Sequence, residues 1–301
     1  MRCSIATRRF AALATALLLA VLLTLPAAAG HGNAPQTRKG ILLVAFGTTV
    51  PEARVALDNI EEETRKAFPD TEIRWAYSAK QVRRTVQEEE GKEKLSPASA
   101  LARMGDEGFT HVAVQSLHTI PGEEFHALQK TVAAFRNMPK GTRKVVLGMP
   151  LLCTHEDMER AAAALVSTFP EQRKPGEAIV LMGHGTHHPA NIYYPGMQHY
   201  LSKVDLNTFV GTVEGAPELD DVIATLKARK LKTVWLMPLM AVAGDHARND
   251  MAGPEEDSWK SVLEKQGFTV HTVLRGTGEY DAVAALWVDH LKDAFGALDE
   301  E

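Results

Sequence analysis

Cysteine is almost missing from this sequence. Only Cys3 and Cys153 occur in 301 residues, and Cys3 falls in an N-terminal segment expected to be removed. No intrachain disulfide can then staple the mature chain, so its stability must come from a conventional apolar core. Long apolar runs are equally scarce. Beyond the first thirty residues none approaches the ~20 needed to cross a bilayer. The G-x-x-x-x-G-K-[ST] loop is absent, so no nucleotide cofactor and no ATP-driven step are expected. "GHGTHH" does not have the spacing of G-x-G-x-x-G, and neither a G-x-S-x-G elbow nor an H-E-x-x-H zinc helix occurs.

The one long apolar run lies at the start. Arg2, Arg8 and Arg9 precede "FAALATALLLAVLLTL", and "PAAAG" follows with Ala27 and Ala29 at A-x-A spacing. Residues 1–29 are therefore expected to be a secretory signal peptide cut near Ala29, giving a periplasmic protein with no membrane insertion after cleavage. Without the three leader arginines, 30 of the 33 Lys and Arg remain against 38 Asp and Glu, a net charge near −8. Such a surface does not favour nucleic acid or anionic membrane as a partner. A homo-oligomer is left open, because no sequence patch demands one.

Short β-rich runs then alternate with amphipathic stretches. The strands are expected at 41–46, 72–77, 111–116, 144–149, 178–183, 208–213, 233–237 and 269–274, with helical patterns such as "PEARVALDNIEEETRKAF" and "PELDDVIATLKARK" between them. This alternation predicts an α/β fold with parallel sheets covered on both faces. A faint internal repeat sharpens the expectation. "ILLVAFGTT" (41–49) lines up with "IVLMGHGTH" (179–187), and "HVAVQSLHTIPGEEF" (111–125) with "TVWLMPLMAVAGDHA" (233–247). Two similar lobes follow, 38–150 and 151–301, each with a parallel β-sheet flanked by helices and with a cleft between them.

Ligands of open parallel sheets gather beyond the carboxyl ends of the strands. There the first lobe carries Phe46, Ser78 and Glu124, whereas the matching positions of the second carry His184, Glu214 and His246. Two imidazoles and a carboxylate from three strands suit Co²⁺, Fe²⁺, Ni²⁺ or Zn²⁺ with positions open for exchange. Other readings stand beside this one. His184 between its glycines can simply cap backbone groups, Glu214 can be an acid near a helix start, and Asp245 can replace His246 as ligand. His118, His126, His187 and His188 receive no role.

Three segments carry a family resemblance. "MGHGTHH", "TVEGAPELDDVI" and "LMPLMAVAGDHARNDMAG" resemble the anaerobic cobalt chelatases, the sirohydrochlorin cobaltochelatases, and "WAYSAKQVRR" and "LHTIPGEEF" agree in the first half. The resemblance runs from about residue 39 to 295. It implies two α/β lobes facing a cleft, related in fold to ferrochelatase, and metal ligands at His184, Glu214 and His246. It further implies divalent cobalt as substrate metal and a sirohydrochlorin-type tetrapyrrole as partner.

From that substrate follow a general base at His184 and a tetrapyrrole wall of Phe46, Met237, Pro238, Leu239 and Met240. Tyr193 and Tyr194 are candidates to stack on the ring, and Lys80, Arg83, Arg84 and Arg248 to meet its carboxylates. The glycines around His184 are expected to leave room for the flat macrocycle. Two other classes compete with the enzyme: a periplasmic metal-binding receptor, and a tetrapyrrole carrier without turnover. An export signal on a chelatase is the feature that departs from the family's cytoplasmic setting.

Overall fold

Every residue of the central strand Ala178–Gly183 is buried, which only a sheet covered on both faces permits. The computed structural model describes residues 37–300 except 137 and 140, so the expected leader lies outside the described residues. Among these, β1 (Lys39–Ala45), β2 (Glu72–Tyr77), β3 (His111–Ser116) and β4 (Lys144–Gly148) form one sheet in the order β2-β1-β3-β4. A second sheet repeats the pattern with β5 (Ala178–Gly183), β6 (Thr208–Thr212), β7 (Thr233–Pro238) and β8 (Thr269–Thr272), in the order β6-β5-β7-β8. All pairings are parallel. The expected fold class holds, and the two sheets share one topology.

Strand pleat sorts the side chains into three apolar layers. Ile41, Leu43 and Ala45 of β1 and Ile179 and Leu181 of β5 share the largest core cluster, which therefore draws on both sheets. Leu42 and Val44 point the other way, onto α3 (Pro97–Asp106) and α4 (Glu123–Phe135) through Leu101, Met104, Leu128 and Val132. Ala178, Val180 and Met182 meet α7 (Leu219–Ala228) and α8 (Trp259–Lys265) on the far side of the second sheet. The shared layer holds α1 (Val55–Ala67), α5 (His155–Ser167) and α6 (Tyr193–Val204), with α2 (Lys80–Glu90) following β2.

The last helix, α9 (Asp281–Gly296), does not respect a boundary at residue 150. It packs against α1, β3 and β4 of the first half as well as α5 of the second. Trp287, fully buried, donates its Nε1–H to the His118 carbonyl at 3.3 Å. His290 lies between the Met149 carbonyl (Nδ1, 3.1 Å) and Asp157 Oδ1 (Nε2, 2.9 Å). The same Asp157 closes a capping box with Thr154 at the start of α5, so one carboxylate fixes a helix end and the docking of another helix. No helix among the described residues is long and apolar enough to cross a membrane.

Candidate metal centre at the strand ends

The central strand of the second sheet runs straight into His184. Hydrogen bonding continues past the last paired residues: Val213 N–H donates to Gly183 O at 3.1 Å and Glu214 N–H to His184 O at 2.8 Å. The backbone thus carries Glu214 alongside His184, whose Nδ1 lies 3.8 Å from Glu214 Oε2. On the other side of β5, Leu239 N–H donates to Met182 O at 2.7 Å, and the chain then turns through 240–245 to His246. The rings of His184 and His246 meet edge to face, with centroids 4.5 Å apart and planes at 86°.

Both imidazoles are oriented by their Nδ1 atoms. His184 Nδ1 lies 2.9 Å from Gly185 O, and His246 Nδ1 lies 2.5 Å from Asp250 Oδ2. A proton on Nδ1 satisfies each contact and leaves Nε2 as the lone-pair donor, the arrangement in which histidines ligate metals. Asp250 had no part in the sequence reading. It reaches His246 because Ala247–Met251 forms a turn of π-helix, and the H-x-x-x-D spacing was the signal available. The side chains of His184, Glu214 and His246 keep 40, 55 and 35 % of their surface exposed, so an incoming ion can reach all three. Among the described residues no three His, Cys, Asp or Glu side chains are already drawn together as a closed ligand set. His184 links the other two as a pair of contacts.

The glycines flanking His184 serve the protein itself. A Cβ on Gly183 would lie 2.2 Å from the Tyr194 ring, and Tyr194 is accordingly buried. Gly185 adopts φ +80°, and a Cβ there would fall 2.8 Å from the backbone carbon of Glu214. The expected room for a macrocycle is filled by Tyr194 and by the Glu214 loop. The two candidate stacking tyrosines are packing residues: Tyr194 is in the core, and Tyr193, partly buried against it, donates its hydroxyl to Cys153 O.

The tetrapyrrole wall needs a similar correction. Met237, Pro238 and Leu239 are buried, because β7 runs through Pro238 and the Leu239 side chain enters the shared core. They offer a ligand no surface. Met240 is partly buried against the outer cluster, and Phe46, 47 % exposed, stands free at the end of β1. The two lobes approach here, since a Cβ on Gly244 would sit 3.3 Å from Thr48 Oγ1.

The remaining histidines sort themselves. His118 joins two hydroxyls of the first lobe, with Ser116 Oγ 2.8 Å from Nδ1 and Ser78 Oγ 3.2 Å from Nε2. Burial pushes its pKa down to about 4, which keeps the ring neutral at neutral pH. His126 Nδ1 and His188 Nε2 lie 3.3 Å apart, a contact between the two halves that the sequence did not reveal. His188 Nδ1 also accepts from Ala190 N–H at 3.0 Å, whereas His187 is exposed. A cavity of about 600 Å³ opens beside this loop between His187, Ile192 and Pro217, and none of His184, Glu214 and His246 lines it.

Comparison with known proteins gives the family. Residues 39–296 match the family model of the cobalt chelatase, CbiK. The chain belongs to that family. Among the cobalt chelatases, the sirohydrochlorin cobaltochelatase CbiKC of Nitratidesulfovibrio vulgaris is 44 % identical over 266 residues, spanning 88 % of this chain and 94 % of that one. The sirohydrochlorin cobaltochelatase of Salmonella typhimurium is 35 % identical over 265 residues, spanning 88 % and 99 %. In structure the chain is similar to SirB from Bacillus subtilis with Fe3+, with a TM-score of 0.57 at 13 % identity over 87 % of this chain and 97 % of that one. That likeness concerns the fold. Membership makes the protein a chelatase enzyme, as expected.

Proposed function

We propose that this protein inserts Co²⁺ into sirohydrochlorin, accepts Fe²⁺ as a second metal, and works without nucleotide on the periplasmic side of the membrane. The reading rests on one observation above others: two imidazoles whose Nε2 atoms have no hydrogen-bond partner among the described residues meet edge to face beside an exposed carboxylate, at the carboxyl ends of neighbouring parallel strands. The relatives named above supply the metal and the macrocycle, and the apolar leader supplies the location.

Inserting a divalent ion requires two pyrrole N–H protons to leave the ring. His246 Nε2, its ring held by Asp250, keeps the ion beside the macrocycle. His184 Nε2 gives up the ion as the first ring nitrogen binds it, and the lone pair so released accepts that nitrogen's proton. Glu214 balances the metal charge and accepts the second proton. The ring nitrogens then replace the protein ligands. Exposed ligands favour this exchange, whereas a structural metal would be enclosed.

The test is an anaerobic absorbance assay of the mature protein with sirohydrochlorin and Co²⁺ against a no-enzyme control. Many turnovers in wild type, abolished in a folded His184→Ala variant, are expected. A signal that stops at one equivalent would turn the reading to a metal receptor. Tight macrocycle binding without metallation would turn it to a carrier.

A further inference from the structure

Many of the arginines in the protein face a carboxylate, as Arg54 faces Glu90 and Arg173 faces Asp205. Two at the strand-end edge do not. Arg83, in the first turn of α2, is partly buried, and its Nη1 donates to the carbonyls of Tyr77 at 2.5 Å and Ser78 at 2.6 Å. Those two bonds use both Nη1 protons. The flat Nε–Nη2 side, the edge that matches a carboxylate, has no hydrogen-bond partner among the described residues. Arg248, two residues beyond His246, donates Nε–H to Ala243 O at 3.2 Å. Its Nη1–Nη2 edge likewise has no partner among the described residues.

Backbone carbonyls hold both guanidiniums in place without neutralising them. Ser78 is itself fixed, by its N–H to Ala45 O at 2.8 Å and by His118 at its hydroxyl. Burial pulls the Arg83 guanidinium below its ordinary range, opposed by Glu124, but these two form no ion pair. The two arginines also belong to one edge. Arg248 N–H donates to Gly244 O, and Gly244 packs on Thr48 of the other lobe. Two residues before Thr48, Phe46 O accepts from Ala79 N–H, next to Ser78.

We propose that Arg83 and Arg248 are specificity-determining residues that grip peripheral carboxylates of the tetrapyrrole, one from each lobe. The proposal rests on the tetrapyrrole reading above and deepens it. Sirohydrochlorin is a polyanion with eight carboxylates, and this protein is itself acidic, so the long-range field opposes binding. Seated guanidiniums with open forks overcome that locally, at little cost in side-chain order. Neighbouring cations are unsuited: Arg84 is paired with Glu88 and its side chain is 76 % exposed, and Lys80 is exposed.

The experiment titrates the mature chain with two metal-free probes, uroporphyrin with eight carboxylates and deuteroporphyrin with two, beside turnover on sirohydrochlorin. Arg83→Gln and Arg248→Gln should each weaken uroporphyrin binding by about 10- to 100-fold, the loss expected for hydrogen bonds between charged groups. KM for sirohydrochlorin should rise similarly, with kcat within about threefold and deuteroporphyrin binding nearly unchanged. Arg83→Lys should recover only part of the loss, since an ammonium lacks the fork. If Arg83→Gln fails to fold, Arg83→Lys and Arg248→Gln decide. Folded variants that bind uroporphyrin as wild type does would overturn the proposal. Wild type that binds uroporphyrin through these arginines but never metallates would sink the chelatase reading and leave the pair standing.

Discussion

The His184 and His246 rings stand edge to face with centroids 4.5 Å apart, although 62 positions separate them in the chain. The parallel order β6-β5-β7 explains the meeting. His184 leaves the central strand, and the two neighbouring strands deliver Glu214 and the loop of His246 to either side. Each ring is held through Nδ1, His184 by Gly185 O and His246 by Asp250.

That fixing can be tested at Asp250. Asp250→Asn keeps the size of the side chain but removes the carboxylate at 2.5 Å from His246 Nδ1. Partners that orient a metal-binding histidine typically account for about 10- to 100-fold in metal affinity or activity. A Co²⁺ titration should therefore show weakening in this range, with the melting temperature close to wild type. Unchanged affinity would mean that Asp250 does not orient the ligand.

Gly185 offers a backbone test of the same centre. Its φ of +80° is a region that other L-residues occupy at a cost of about 1–2 kcal/mol. The added methyl of Gly185→Ala would also press on backbone at 2.8 Å, which cannot swing aside as a side chain can. The expected result is a loss of stability of at least that size, and lower turnover because Glu214 moves away from His184. Gly91, also at positive φ but with nothing near its Cβ position, is the control: Gly91→Ala should cost stability alone.

His118 predicts a pH dependence of stability. Burial lowers its folded pKa to about 4 from the ordinary 6.5. Between those values the unfolded chain binds the proton and the folded one does not, so stability falls as pH drops from about 6.5 to 4. The contribution is fully present above 6.5 and amounts to no more than about 3 kcal/mol. Denaturation of wild type and His118→Gln across this range checks it. The difference between them should shrink steadily toward pH 4, and a difference independent of pH would refute the account.

Much of this arrangement was legible in the sequence, for a physical reason. Parallel strands buried on both faces read as short apolar runs, and β3 and β5 begin and end where the sequence predicts; the edge strand β2 does so too, although Glu72 and Arg74 interrupt its apolar residues. The repeat of strands set the shared topology, and strand ends pointed to His184, Glu214 and the loop of His246. Less local features were not readable. Leu239 follows its strand as an exposed wall residue would, yet it enters the core because the sheet packs on a layer from the other half. Gly183 and Gly185 looked like room for a ligand, but the atoms that fill the space come from Tyr194 and Glu214. The contact between His126 and His188, 62 positions apart, depends on how the halves meet. The docking of α9 on the first sheet has the same origin.

That docking gives the last prediction. His290 on α9 and Asp157 on α5 are 8 % and 7 % exposed and 2.9 Å apart. Burial alone would raise the Asp157 carboxyl, but hydrogen bonds from His290 and Thr154 outweigh it and hold the carboxyl below its ordinary range. Removing one partner leaves the other buried without its match, a change worth about 3–5 kcal/mol. His290→Ala should therefore lower the melting temperature by on the order of 10 °C. Because Asp157→Ala relieves the orphaned carboxylate, the double variant should lose clearly less than the two single losses together. The depressed carboxyl also sets the acid limb: its contribution is present above the ordinary aspartate pKa of ~3.9 and is lost as pH falls below it. Wild type should show that loss and His290→Ala should show less of it. Additive single losses in the calorimeter would mean that α9 is held by its apolar face alone, with Trp287 as the anchor.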